Sequence, residues 1–448
     1  MAATIRALEG QIKDLQAIID QLLGKQKPPR QEGSYPAAPA KKPSGRKRGG
    51  QHGHPPHLRK LLPPESVTEI VSYQPEQCLK CQSALPREAG PKDPEPYRHQ
   101  VVELPRLAVR VVEHQAHTRI CSCGCVNRAT IPGEIMAHSM GPRLTGAIGY
   151  LTGAQGISKR GVEEIVESLW GTPISLGTIS NREQEISQAL AVSHTEVLEA
   201  VQQADVKGAD ETGWSEQGQK RWLWIAVTQH LAVFLIHAWR NKEAMKALLG
   251  PMQGILVSDR WVVYRRWPDE YRRQLCWAHL KRNWEKMVER GGTARRIGEA
   301  FLEVQKQVFE LWHRFNAQQI SRAELSHQML PLIDRFNEVL SSGFRGTDEK
   351  TRRFCTRLQE ESVGLWTFVE SEGVEPTNNH AERSLRLAVI WRRRSFGSQS
   401  ATGCQYVERI LTAVQTLRLQ KRNVLEFLTD TIQAHRSGLP NPKLVPEG

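Results

Sequence analysis

Three acids in this 448-residue chain, Asp210, Asp259 and Glu382, stand in contexts that suit phosphodiester chemistry. Carboxylates are hard oxygen donors. A converging set of three suits Mg²⁺ or Mn²⁺, which keep open positions for a phosphate oxygen and a water. Two such ions together can activate the attacking oxygen of an in-line displacement and stabilise the leaving one. Three acids among 48 aspartates and glutamates would mean little on their own. Their weight comes from the segments that carry them.

Asp210 closes a short strand candidate, residues 206–210. Residues 222–227 and 231–236 are two apolar strands meeting at Gln229-His230, residues 241–249 have helical periodicity, and residues 254–258 form a buried strand that delivers Asp259. The order is β-β-β-α-β. If the first and fourth strands pair, the two aspartates sit at neighbouring strand ends. Glu382 follows Asn378-Asn379, either of which suits an N-cap, so it falls in the first turns of a helix. The stretch between Asp259 and Glu382 exceeds what a plain core needs. Residues 281–372 are therefore expected to form a helical insertion, with Trp284, Trp312, Phe315 and Trp366 in its core.

Cysteine spacing points to a second metal. Cys78-x-x-Cys81 precedes, and Cys121-x-Cys123-x-Cys125 follows, a segment whose residues 101–104 and 109–112 look like short strands. Two thiolate pairs on separate loops can close a tetrahedral Zn²⁺ site and staple a module with little core of its own. Cys78, Cys81, Cys121 and Cys123 are the favoured ligands, with Cys125 or His117 as alternatives for the second pair. Cys276-x-x-His279 offers half a metal site with no second pair nearby in sequence. It reads as a structural element beside the acids, with His279 near DNA.

The remaining elements suggest how such chemistry is positioned. In residues 1–24, Ile5, Ile12 and Ile19 alternate with Leu8, Leu15 and Leu22 in heptads, the pattern of a parallel two-stranded coiled coil, although Gly10 weakens the helix. Residues 25–64 are a flexible linker, rich in Pro, Gly, Lys and Arg, in which Glu32 is the only acid before Lys60. Its Arg46-Lys47-Arg48 run could touch phosphates. Residues 65–134 form the zinc-binding module. Residues 135–203 read as helices over 143–151 and 160–169, a turn at 171–173 and one long run to about Val201, resembling a helix-turn-helix. The catalytic domain spans 204–435, followed by a tail, 436–448.

Lys and Arg number 61 against 48 acids, a formal charge of +13. That excess suggests a polyanionic partner, nucleic acid first and an anionic membrane surface second. No run of about 18 apolar residues exists to span a membrane, and the polar N-terminus lacks a secretory core, which suggests a cytoplasmic location.

Along nearly its whole length the chain resembles the insertion-sequence 66 family of bacterial transposases, TnpC type. The resemblance is carried by the zipper, Arg48-Gly49-Gly50-Gln51-His52-Gly53-His54, the paired cysteines, Asp210-Glu211-Thr212-Gly213-Trp214, the segment from Asp259 to Tyr264, and Cys276-Trp277-Ala278-His279. It continues from Asn378 to Arg386 and through Ile390-Trp391-Arg392-Arg393-Arg394 and Ser395-Phe396-Gly397-Ser398. What it implies is an RNase H-like mixed sheet with a DDE triad on Asp210, Asp259 and Glu382. The implied activity is metal-dependent cleavage and strand transfer at the terminal inverted repeats of an insertion sequence. A homodimer through the coiled coil and small accessory transposition proteins are the expected partners. DNA contacts are expected from Arg46, Lys47, Arg48, His279, Arg383, Arg386, Arg392 and Arg393. The chain departs from the family pattern at Arg260, where a small residue is usual after the second aspartate, and at Thr377, where an acid is common. A zinc-containing DNA-binding regulator and a nuclease that cuts without rejoining are the competing readings.

Overall fold

A computed structural model describes residues 60–88, 90–91, 93–104, 107, 109–267 and 272–446 of the chain. The coiled-coil segment 1–24 and the linker up to residue 59, with Arg46, Lys47 and Arg48, lie outside the described residues. The chain divides into one unit ending at Glu103 and a second beginning at Leu104.

The described part of the first unit is almost wholly exposed. Its tightest feature is a knuckle around the first cysteine pair. The Cys78 N–H donates to Ser83 O and the Gln82 N–H returns to Cys78 O, both at 2.9 Å, with Gln82 at φ 59°. The Ser83 hydroxyl, then its backbone, hold the Cys81 thiol down at about 7, where a thiolate forms readily.

The second unit opens with an antiparallel hairpin of β1 (Thr118–Ile120) and β2 (Val126–Arg128). Its tip is a second cysteine knuckle: the Cys121 N–H donates to Cys125 O and the Gly124 N–H to Cys121 O, both at 2.8 Å. Gly124 takes φ 84°, a left-handed conformation that costs glycine little. The strands expected at 101–104 and 109–112 do not form among the described residues. Their valines are exposed, and apolar alternation makes a strand only where one face has something to bury against.

After one helical turn at Gly133–Met136 come four longer helices: α1 (Pro142–Gly149), running on through a π turn to Ala154, α2 (Lys159–Trp170), α3 (Leu176–Ala189) and α4 (Ala191–Gln203). Ser158 and Ser175 cap α2 and α3 by accepting from Gly161 N and Thr178 N. The single run expected to reach Val201 is broken at Leu190. Ile148, Val162, Val166, Ile174 and Ile179 make a small core within this segment. The segment is also tied to the end of the chain. The Thr152 and Tyr406 hydroxyls meet at 2.6 Å, and Arg436 binds Glu185 at 2.7 Å while also donating to Met140 O.

The sheet has five strands in the order β5-β4-β3-β6-β7. These are β3 (Val206–Glu216), β4 (Gln219–Val227), β5 (Ala232–His237), β6 (Ile255–Ser258) and β7 (Arg273–Leu275), with α5 (Lys242–Leu249) between β5 and β6. The pairs β3–β4 and β4–β5 are antiparallel, whereas β3–β6 and β6–β7 are parallel. Along β4, Leu223, Ile225 and Val227 face one core while Trp224 and Ala226 face another. Both faces are covered, which is why this strand reads as an unbroken apolar run.

Between β7 and the next helix of the main body stand α6 (Trp277–Arg290), α7 (Gly292–Asn316), α8 (Arg322–Phe344) and α9 (Glu349–Gln359). Their core is aromatic. Trp284 stacks on Phe301 at 5.2 Å, Trp277 meets Trp366 edge-on at 5.1 Å, and the Trp277 Nε1–H donates to Leu365 O. The chain then returns as α10 (Asn379–Ser395), α11 (Ala401–Leu419) and α12 (Val424–Arg436).

Helix α11 also closes one edge of the sheet. The N–H groups of Ala232, Phe234 and Ile236 donate to Thr416 Oγ1, Thr412 Oγ1 and Glu408 Oε1. Four residues of helix rise about 6 Å, close to two residues of strand, so side chains spaced by four match alternate strand N–H groups. At the other edge, the Phe368 N–H donates to Gln274 Oε1 and the Gln274 amide to Leu365 O.

Candidate active site

Asp210 and Asp259 reach the same end of the sheet because β3 and β6 run parallel in register. Lys207 lies opposite Leu256 and Gly208 opposite Val257. Two residues further along each chain stand the aspartates, on neighbours about 4.8 Å apart. Asp259 follows β6 directly. Asp210, however, is not at a strand end: β3 continues to Glu216, with Asp210 opposite Ile225. The tight Gln217-Gly218 turn keeps β4 paired with β3 from Gly208 to Glu216, while the parallel neighbour stops at Gly208. The carboxylate thus projects from a strand held on one side and open on the other. Asp210 Oδ1 accepts the Glu211 N–H and Asp259 Oδ1 accepts the Trp261 N–H, both at 2.9 Å.

Glu382 enters from the first turn of α10. Asn378 occupies the N-cap position, yet its side chain makes no cap bond. Its amide instead donates to Ala209 O at 2.7 Å, bracing the helix against β3 next to Asp210. Gly208 permits this approach, since a Cβ there would lie 2.9 Å from Asn378 Oδ1. The Asn378 N–H donates to Cys276 Sγ at 3.1 Å, and the Trp277 N–H to Pro376 O at 3.0 Å. The start of α6 and the start of α10 therefore meet at one corner.

The acids repel one another. Burial, then the charges of Glu211, Asp259 and Glu382, push the Asp210 carboxyl up from 3.8 to about 7. Glu382 Oε1 is buried without a hydrogen-bond partner among the described residues. It lies 3.3 Å from His279 Nδ1 and 3.8 Å from Arg282 Nη2, close contacts that lack hydrogen-bond geometry. An all-oxygen set with an unpartnered buried oxygen and an unmet negative charge fits a hard divalent cation.

Glu211 was not singled out from the sequence, but alternation along β3 turns it to the face opposite Asp210. Its nearly buried carboxylate accepts from Arg240 and from the Tyr264 hydroxyl. The Arg240 guanidinium lies 4.9 Å from the Trp222 ring and 4.0 Å from the Trp261 ring. Trp261 and Tyr264 both belong to the loop after Asp259, so Glu211 fastens that loop to β3. Arg260 turns away from the acids, with Nε 3.0 Å from Glu361 and the guanidinium over Phe354. Arg392 donates to Thr212 Oγ1 at 2.9 Å and to Gly213 O, which makes it a strut between α10 and β3. Arg383, Arg386 and Arg393 are exposed, and their spacing places them along one side of α10.

A mixed sheet with acids at a parallel strand junction, a third acid on a braced helix and a helical insertion between them defines a carboxylate-centred α/β domain. The chain belongs to the transposase IS66 family, whose model matches residues 138–406. A curated relative, the uncharacterized protein y4qI of Sinorhizobium fredii (strain NBRC 101917 / NGR234), is 24% identical over 279 residues. The match covers 54% of this chain and 50% of that protein, so the chain spans about half the length of the relative.

The shift at Asp210 sets a pH dependence. Its folded pKa, about 7, lies above its ordinary value of 3.8, so the metal-free fold binds this proton more tightly than the unfolded chain does. Below both values the group contributes nothing. As pH rises from about 4 to about 7 the fold loses stability, because the ionised carboxylate is the disfavoured form there. A cation held by Asp210 would bind the ionised form. Apparent Mg²⁺ affinity should therefore fall about tenfold per pH unit below about 7 and level off above it. Thermal melts with and without Mg²⁺ check this: the rise in Tm should be larger at pH 8 than at pH 5.5. An equal rise at both would contradict the assignment.

Proposed function

We propose that this chain is a DDE transposase of RNase H-like architecture, which cuts DNA at the ends of an insertion sequence and joins the freed ends to target DNA. The observation that carries the reading is the parallel register of β3 and β6, which sets Asp210 beside Asp259 where α10 delivers Glu382. Asp210, Asp259 and Glu382 would hold Mg²⁺ or Mn²⁺, which supplies Lewis acidity to the scissile phosphate. The chain's own work is positioning. The exposed Arg383, Arg386, Arg393 and Arg282 place the phosphodiester backbone against the acids. No side chain need act as nucleophile, since water and then a DNA 3′-hydroxyl can attack in line. Terminal inverted repeats are the proposed DNA ligand, and the N-terminal heptads are proposed to pair two chains so that two ends are held together. Small accessory proteins complete the machinery, and the lowered thiols of Cys81 and Cys121 suit zinc at the cysteine knuckles.

The test is an assay with the full chain, accessory proteins, Mg²⁺ or Mn²⁺ and DNA carrying the flanks of the gene. Breaks at both element ends and joined products are expected, and EDTA should abolish both. Activity that survives EDTA would refute the metal-dependent mechanism. Binding without any cutting would favour the DNA-binding regulator.

A further inference from the structure

The corner where α6 meets α10 carries chemistry that the three acids do not use. Cys276 Sγ, a His279 ring nitrogen and a Glu382 carboxylate oxygen all lie within 4.8 Å of one another. We propose that they form a soft-cation site for Zn²⁺, and that its occupancy withdraws Glu382 from the acid set and stops DNA cutting.

Geometry supports the first half. Zinc bonds of about 2.0–2.3 Å at tetrahedral angles put ligand atoms about 3.3–3.6 Å apart. The His279 Nδ1–Glu382 Oε1 separation is already 3.3 Å, so only the sulfur edge must close. The three ligands are held by backbone. Cys276 follows β7 and stands at the N-cap position of α6, His279 lies in the first turn of α6, and Glu382 lies in the first turn of α10. The two helix starts are joined by the Asn378 N–H to Cys276 Sγ contact. His279 Nδ1 and Glu382 Oε1 are both buried without a hydrogen-bond partner among the described residues. The sequence pattern showed only Cys276 and His279; the third ligand comes from the far side of the insertion.

Donor chemistry separates the two metals. Thiolate and imidazole favour zinc, whereas Mg²⁺ demands oxygen. On binding, Zn²⁺ forms a bond to Cys276 sulfur and the thiol proton passes to solvent, with no change in oxidation state. One Glu382 oxygen is thereby taken toward Cys276. Metal uptake at this corner is independent of the transposase reading, while the effect on cutting rests on it.

Two measurements test the proposal. Full-length wild type, Cys276→Ser and His279→Gln are dialysed to equilibrium against Zn²⁺ with excess Mg²⁺ and their metal content compared. Serine can still accept the Asn378 N–H, and glutamine replaces a half-exposed ring, so the two variants stress the fold differently. Wild type should hold one equivalent more than either, beyond the zinc common to all three at the cysteine knuckles. Its Co²⁺ form should show stronger thiolate-to-metal absorption. Equal uptake by all three chains overturns the site. In the cutting assay, Zn²⁺ should slow wild type by about tenfold or more relative to its own zinc-free rate, and Cys276→Ser by less than about twofold. An extra equivalent in wild type without slower cutting overturns the switch.

Discussion

Asp210→Asn is expected to leave DNA binding unchanged and to slow cutting by about 10³-fold or more, the loss of several kcal/mol of charge stabilisation in the transition state. The amide has nearly the shape of the carboxylate and can still accept the Glu211 N–H, so β3 should keep its place. What it lacks is the charge. Asp210 lies at the centre of the acid set, where Asp259, Glu382 and Glu211 already raise its proton affinity, and its ionised form is what would hold the cation. The same substitution removes a disfavoured charge from the metal-free fold, so the metal-free variant should melt higher than wild type above about pH 7. Lost cutting with a raised Tm is a paired signature that misfolding cannot produce. Wild-type rates in the variant would remove Asp210 from the mechanism.

Gly397→Ala is expected to be the most damaging single methyl in the second unit. Gly397 takes φ 108°, and a Cβ there would lie 2.2 Å from Ser215 O. No rotamer relieves a clash with backbone. The neighbouring bonds cannot give without loss, since the Ser398 N–H donates to Ser215 O, the Gln217 N–H to Ser398 O and the Trp214 indole to Ser398 Oγ. A loss of about 2–4 kcal/mol is expected, the range for backbone strain plus a broken local network. Because this clip anchors the C-terminal end of α10, cutting should fall as well. Gly218→Ala is the control: it shares a positive φ, 76°, but its Cβ would meet nothing within 4 Å, so only about 1 kcal/mol should be lost. Urea unfolding of both variants decides the matter, and equal losses would rule out the clash.

The parts of the fold that were legible in the sequence had local causes. β4 and β5 showed as apolar runs because both faces are buried, and the break before α5 showed because Asn241 caps that helix. The family was legible from its motifs, and membership is established. What escaped was non-local. Residues 211–216 are too polar to suggest a strand, yet they pair because β4 is folded back along them. Asn378 looked like a cap and is a brace, a difference set by the closeness of Gly208. Glu211 drew no reading of its own, because its role depends on Arg240 and Tyr264, which reach it only in the fold. Glu382 could not be matched to Cys276 and His279 because the helical insertion separates them in sequence. The valines at 101–112 misled in the opposite direction, with apolar alternation but nothing to cover it.

The closed sheet edges have a consequence for assembly. The N–H groups of Ala232, Phe234 and Ile236 on β5 are spent on Thr416, Thr412 and Glu408, and β7 is overlaid by the turn from Leu365 to Phe368. An incoming strand from a second copy, or from another protein, finds no free ladder at these positions on which to zip. Neither outer strand, β5 or β7, can be extended by β-augmentation at these positions without first peeling away α11 or that turn. Contacts between copies that use these two edges must therefore be made by helix and loop side chains, not by added strands.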